Sequence, residues 1–238
     1  MKIHKFDINK GIYQFELNEL ETTVHSHPAF EIIFSKNRGI ELEIENTTYL
    51  NTSFVILEPN ILHKVKYNEA NVLVVMMECN TVFLQKFLSK FDINLSKGVY
   101  VEKEVKDRTV LIQELIDTFY HSKLSMATDE RIQQCLEHLN SSSSTYTTLI
   151  EDLKSKTYLS DSRLSHLFKQ ELGISIKKYY VWSNLKKAFK AVIYDEKNMY
   201  QAAIENGFYD QAHLSKAFKQ MLGITPSDVY NSRTLQVK

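Results

Sequence analysis

Leu164-Ser165-His166-Leu167-Phe168-Lys169-Gln170-Glu171-Leu172-Gly173-Ile174-Ser175 returns fifty positions later as Leu214-Ser215-Lys216-Ala217-Phe218-Lys219-Gln220-Met221-Leu222-Gly223-Ile224-Thr225. Eight of the twelve positions are identical, which chance explains poorly. Repetition at a fixed offset marks a duplicated structural unit. In each copy apolar residues share one helix face: Leu164, Leu167 and Phe168 in the first, Leu214, Ala217 and Phe218 in the second. Gly173 and Gly223 stand where a helix ends, a place that favours the left-handed conformation open to glycine.

A shorter helix is predicted upstream of each copy, over Leu149 to about Lys156 and over Met199 to Asn206. The turns between are Thr157-Tyr158-Leu159 and Gly207-Phe208-Tyr209, followed by Ser160 and Asp210 as N-caps. A short helix, a tight turn and a capped second helix make a helix-turn-helix. The face opposite the apolar stripe carries Ser162, Arg163, Ser165, His166 and Lys169 in the first unit. In the second it carries Gln211, Ala212, Ser215, Lys216 and Lys219. Small polar residues let a helix approach base edges, Gln pairs with adenine, and Lys reaches guanine or phosphate. A single such face would equally suit plain solvation. The duplication favours recognition.

Between the units Trp182, Leu185, Phe189 and Val192 form an apolar stripe over about Ile176 to Tyr194, read as core. A helix of that length spans nearly 30 Å at about 1.5 Å per residue. One turn of DNA is about 34 Å, so this connector would set two reading helices in successive major grooves.

From about residue 128 to 233 the chain resembles the DNA-binding domain of the AraC family. The resemblance rests on Asn206-Gly207-Phe208-Tyr209-Asp210, Phe218-Lys219, Gly223-Ile224-Thr225-Pro226 and Tyr230 in the second unit. In the first it rests on Leu159-Ser160, Leu164-Ser165, Phe168-Lys169 and Gly173. Four positions depart from the pattern: Asn184 and Asn231 stand where Arg is usual, Lys154 replaces a small buried residue, and Ala202 replaces a larger aliphatic. The resemblance implies double-stranded promoter DNA as partner, a cytoplasmic regulator and a small-molecule effector bound in an N-terminal barrel. It also implies a homodimer formed through the helix around Leu111–Phe119, with effector binding altering affinity for DNA half-sites.

The N-terminal part has the opposite grain. Phe30–Phe34, Ile40–Ile44 and Val72–Met76 read as strands, with turns at Asn46-Thr47-Thr48 and Pro59-Asn60. Many short strands suggest a small barrel or sandwich. Helices are then expected over Thr81 to Phe91, Asp107 to Lys123, and from Thr128-Asp129-Glu130 to about Leu139. The polar run Ser141 to Thr145 reads as a loop that caps the next helix. The expected fold is α+β: a cupin-like barrel with a helical dimerisation segment over 1–125, then an all-α tandem helix-turn-helix domain over 126–238.

His25-Ser26-His27-Pro28-Ala29-Phe30-Glu31 puts two imidazoles on one strand face with a carboxylate following, and His63 comes after Pro59-Asn60-Ile61-Leu62. Three imidazoles and a carboxylate suit a divalent metal, and the spacing resembles the metal motif of cupin barrels. AraC-type regulators resemble it too, often as an inherited framework without metal. The expectation is therefore a packed or effector-contacting cluster of His25, His27, Glu31 and His63, with Phe34 and Tyr49 as further effector contacts and no cofactor. Phe30, Phe54 and Tyr67 suit a cavity lining or ordinary core equally. The competing reading is a metal-dependent cupin enzyme whose helices serve assembly. The absence of a nucleophile beside a base counts against it.

Composition agrees with a two-part globular chain. Of 238 residues 43% are hydrophobic and only 6 are Gly and 3 Pro, which disfavours long linkers. The net charge of zero hides an asymmetry. Residues 1–144 hold 15 Lys and Arg against 20 Asp and Glu, while residues 145–238 hold 14 against 9, and a basic excess suits a phosphate-binding surface. Apolar runs such as Val72–Met77 are too short to span a bilayer, and the opening Met1–Asp7 has no apolar signal core. Cys79 and Cys135 lack CxxC spacing and read as reduced thiols of a cytosolic protein.

Overall fold

The computed structural model describes residues 1–68, 71–121, 126–230 and 236–237. It divides into two compact units, Met1–Leu124 with Lys219–Lys238, and Ser125–Phe218. The junction expected at residue 125 falls beside residues 122–125, outside the described set, as does Asn231.

The first unit holds two sheets. The seven-stranded one contains β1 (Lys2–Asp7), β2 (Ile12–Leu17), β4 (Phe30–Phe34), β7 (Phe54–Leu57), β9 (Val72–Met77), β10 (Val99–Glu102) and β11 (Gln236–Val237), in the order β10-β7-β4-β9-β2-β1-β11. The four-stranded one contains β3 (Leu20–Glu21), β5 (Ile40–Ile44), β6 (Thr47–Thr52) and β8 (His63–Tyr67), in the order β3-β8-β5-β6. All pairings are antiparallel except β1 with β11. The β5–β6 turn is Glu45-Asn46, with Glu45 at φ 52°, and Thr47 and Thr48 begin β6 rather than belonging to the turn. At Pro59-Asn60 the left-handed residue is Asn60 (φ 67°), a conformation Asn tolerates better than most.

β4 is buried along its whole length because both of its faces are covered. Phe30, Ile32 and Phe34 join Phe54, Ile56, Val75 and Met77 in one cluster with residues of two helices, α1 (Thr81–Leu88, continued by a 3-10 turn at Ser89–Phe91) and α2 (Thr109–His121). Alternation along the strand sends Glu31 the other way, to His63 on β8 of the second sheet. Leu111, Ile112, Leu115, Ile116 and Phe119 of α2 all belong to the cluster and are buried. This corrects one expectation: the apolar face proposed for dimerisation packs on its own barrel, and the face left outward carries Val110, Gln113, Glu114, Asp117 and Thr118.

The second unit is helical: α3 (Glu130–Ser141), α4 (Tyr146–Thr157), α5 (Asp161–Leu172), α6 (Ile176–Ile193), α7 (Met199–Glu205) and α8 (Gln211–Leu222), whose last turn is grouped with the first unit, as is α9 (Pro226–Tyr230). Side-chain oxygens cap the helix starts: Asp129 for α3, Thr145 for α4, Ser175 for α6, and Asn198 for α7 in a reciprocal box with Gln201. Trp182, Leu185 and Phe189 of α6 are buried as expected, Val192 is half-buried, and α6 packs against α3, α5 and α7. The C-terminus of α3 is closed by α6: Ser183 Oγ donates to Leu139 O (2.9 Å), and Lys187 Nζ donates to Leu139 O (3.0 Å) and Ser142 O (2.5 Å). A cation there also suits the negative end of the α3 dipole.

Candidate functional site

Each helix-turn-helix is built by local chemistry. In the first unit α4 ends at Tyr158 in the left-handed region (φ 55°), Ser160 occupies the N-cap position of α5, and Gly173 (φ 72°) ends that helix. Leu164 and Phe168 are buried and Leu167 is half-buried, so α5 is anchored along one stripe. Lys154, the departure from the family pattern, is half-buried on α4. Its Nζ lies 3.1 Å from Glu151 and 3.2 Å from Asp161 in the first turn of α5, an ion pair that ties the two helices. In the second unit Leu214, Ala217 and Phe218 are buried, and Asp210 Oδ1 accepts from His213 N (2.7 Å) at the start of α8. Gly207 makes the turn at φ 79°. A Cβ there would stand 2.9 Å from Asn184 Nδ2 and 3.1 Å from Tyr180 Oη.

These anchors leave the opposite faces in solvent. Ser162, Arg163, Ser165, His166 and Lys169 of α5 are exposed. So are Gln211, Ala212, Lys216 and Lys219 of α8, with Ser215 half-buried and its Oγ donating to Gln211 O (2.9 Å). Sequence reasoning missed two neighbours, Tyr158 (94% exposed) and Tyr209 (87% exposed), in the turns that lead into α5 and α8. The signal was an aromatic residue placed where a turn faces solvent. The fifty-residue offset hid it, because it aligns Tyr158 with the buried Phe208.

Residues 153–232 match the family of helix-turn-helix domains. The chain carries a helix-turn-helix domain of the AraC type. Over 100 residues it is 28% identical to the arabinose operon regulatory protein of Escherichia coli (strain K12), an alignment covering 42% of this chain but only 34% of that one, so about a third of that relative's length is matched. Over 256 aligned positions, 93% of this chain and 97% of the other, it is 23% identical to the probable transcriptional regulator LumQ of Photobacterium leiognathi. The fold is shared with unsaturated fatty acid-bound ToxT of Vibrio cholerae, with a TM-score of 0.56 at 12% identity, covering 95% of this chain and 96% of that one. The AraC-type domain thus places α5 and α8 as its two second helices.

In the barrel the four residues singled out from sequence do meet. His25 and His63 form an antiparallel bridge, with N–H···O distances of 2.9 and 3.0 Å. Asn60 N donates to His27 O (2.8 Å), which holds the Pro59-Asn60 turn against the same segment. Glu31 Oε2 lies 3.1 Å from His63 Nε2 and 3.4 Å from His27 Nε2. Ligand-capable atoms of His25, His27 and His63 all lie within 4.8 Å of one another. All four side chains are buried. Burial works to raise the Glu31 carboxyl, but the imidazoles of His27 and His63 hold it well below the usual range. Burial works to lower His63, and Glu31 reverses it, leaving His63 raised. His25 falls to about 3 through burial and the neighbouring His63 and His27. Three imidazoles and one carboxylate are a donor set that fits a borderline divalent cation.

The two remaining effector candidates are elsewhere. Phe34 faces the helices, its ring 6.4 Å from that of Phe54. The expectation that Phe34 lines a cavity is corrected by strand alternation, which sends it away from Glu31. Tyr49 lines a half-open cleft of about 750 Å³ with Ile61, Leu62, Lys97 and Tyr100. Cys79 and Cys135 are free and buried, and burial pushes Cys135 up to about 11.

Proposed function

We propose that the protein is a sequence-specific, DNA-binding transcription regulator whose helices α5 and α8 enter two successive major grooves of promoter DNA. The observation that carries this reading is the pair of equivalent helices, each anchored by a buried stripe and each presenting an exposed polar and basic face. Arg163, His166, Gln211 and Lys216 are assigned to base edges or nearby phosphates, and Ser162, Ser165, Lys169, Ala212, Ser215 and Lys219 line the same faces. The hydroxyls of Tyr158 and Tyr209 are added as phosphate contacts, since Tyr donates to phosphate oxygens and these two lie at the helix starts. The α6 connector of 18 residues spans about 27 Å, short of one duplex turn by less than the width of a helix.

The barrel is proposed to receive a small-molecule effector in the cleft beside Tyr49, whose volume suits such a ligand. The solved relative with bound unsaturated fatty acid supports an effector in principle. A homodimer, if α2 forms it, uses the outward face around Val110 and Gln113 rather than Leu115 and Phe119. A cytoplasmic setting suits the two free thiols, and no described helix is long and apolar enough to cross a membrane. The cupin-enzyme alternative draws on the His/Glu cluster. Catalysis needs a coordination position that substrate can reach, and these side chains are 2–6% exposed.

Selection of bound sequences from a random DNA pool tests the reading. Recovery of a defined motif, with affinity lost on Lys216→Ala, is the expected result. Binding without sequence preference, or preference unaffected by replacing any residue on either face, would reject it.

A further inference from the structure

The DNA reading makes no use of the buried cluster in the barrel, and its hydrogen bonding is unusual. His25 Nδ1 lies 2.9 Å from Thr23 O, His27 Nδ1 lies 3.0 Å from Ala29 O, and His63 Nδ1 lies 2.9 Å from Ile61 O. A carbonyl oxygen only accepts, so each Nδ1 carries a hydrogen. In the neutral ring the Nε2 lone pair is then left as an acceptor on all three imidazoles. A carboxylate oxygen is likewise only an acceptor, and Glu31 Oε2 faces the Nε2 atoms of His27 and His63 at 3.4 and 3.1 Å. Four acceptors thus crowd together where water is excluded, an arrangement that costs free energy unless a cation stands among them. A proton on His63 would satisfy Glu31 alone. A metal ion satisfies the whole set. The same Nδ1–H···O=C lock on three rings is also how metal-binding histidines are oriented.

We propose that His25, His27, His63 and Glu31 bind one divalent first-row transition metal ion, of the Zn2+ class, which staples the two sheets of the barrel together. Glu31 comes from β4 of the seven-stranded sheet and His63 from β8 of the four-stranded sheet, while His25 and His27 lie on the chain segment between β3 and β4. Three nitrogens and one oxygen favour such ions over Mg2+ or Ca2+, which take oxygen ligands. The burial of the set gives the ion a structural role, one that tightens the barrel without requiring any effector or DNA.

The test uses the full-length protein stripped of metal and titrated with Co2+, then with Zn2+. One equivalent of Co2+ per chain, with the visible absorption of a nitrogen-ligated ion and displacement by Zn2+, is expected. Zn2+ should raise the melting temperature, and His27→Gln and His63→Gln should abolish uptake while leaving DNA binding measurable. Long-range 1H–15N spectra of the wild type read the same site without any variant. The Nε2 signals of His25, His27 and His63 should shift on adding Zn2+, and those of His4, His121, His138, His166 and His213 should not. Absence of stoichiometric uptake, uptake that persists in both variants, or shifts confined to the other five imidazoles would overturn the proposal. None of those outcomes touches the DNA reading, which selection from a random pool tests separately.

Discussion

Gly207 and Asn184 show how one departure from a family pattern is accommodated by another atom's position. Asn184 is 5% exposed in the middle of α6, and its amide sits under the Gly207 turn at a distance that leaves no room for a Cβ. A longer side chain at 184 would compete for that space, which gives the shorter Asn a steric rationale. Gly207→Ala should therefore cost about 1–3 kcal/mol, combining positive-φ strain with a close contact to a buried amide. Trp182 is the chain's single tryptophan and is buried in the same helix, so its fluorescence during urea unfolding reports this unit. An unchanged midpoint would mean that the turn relaxes freely. At the same scale Lys154→Ala should remove the link from α4 to Asp161 with little loss of stability, since the Asp161 side chain is largely exposed. Its effect belongs to the placement of α5, and DNA affinity rather than unfolding should register it.

Among the elements, α2 separates what periodicity reveals from what it conceals. Leu111, Ile112, Leu115, Ile116 and Phe119 at helical spacing announced an amphipathic helix, and the helix is there. Which surface the stripe meets was not written in the spacing, because an apolar face serves a partner or its own sheet equally well. The outer face of β4, with Phe30, Ile32 and Phe34, proved to be that surface. The same alternation misplaced Phe34: its neighbour Glu31 points to the histidines and it therefore points away. Leu115→Ala should lower the stability of the barrel unit by about 2–5 kcal/mol, as truncation of a fully buried leucine does. Molecular mass by light scattering should stay the same. A changed mass with intact stability would instead show that α2 exchanges its packing between copies. The strands β4 and β5 were legible to the residue, since Phe30–Phe34 and Ile40–Ile44 have clear composition and flanking turns. Short β3 and the late β10 were not, because Leu20–Glu21 and Val99–Glu102 acquire strand character only from the partners they pair with.

For the whole molecule the tandem domain was the most legible feature, because duplication shows in a bare sequence and its caps, turn glycine and buried stripe all point to one answer. The barrel cluster was half legible. The spacing of His25, His27, Glu31 and His63 suggested proximity, but the carbonyl locks on each Nδ1 come from backbone geometry that no spacing encodes. The cleft beside Tyr49 was hidden for the same reason, since its walls come from β6, the Pro59 turn and β10 together. The segregation of charge, with residues 145–238 carrying the basic excess, predicts a DNA affinity that falls steeply with salt. Lys169→Ala and Lys219→Ala should each reduce the slope of log affinity against log salt by about 1 if the lysine meets a phosphate. The central claim is that one chain reads two neighbouring major grooves, and methylation protection on a selected DNA site tests it most directly. The account predicts two protected clusters about ten base pairs apart on one face of the duplex for each bound AraC-type domain. A single protected cluster per domain, or protection confined to the minor groove, would contradict it.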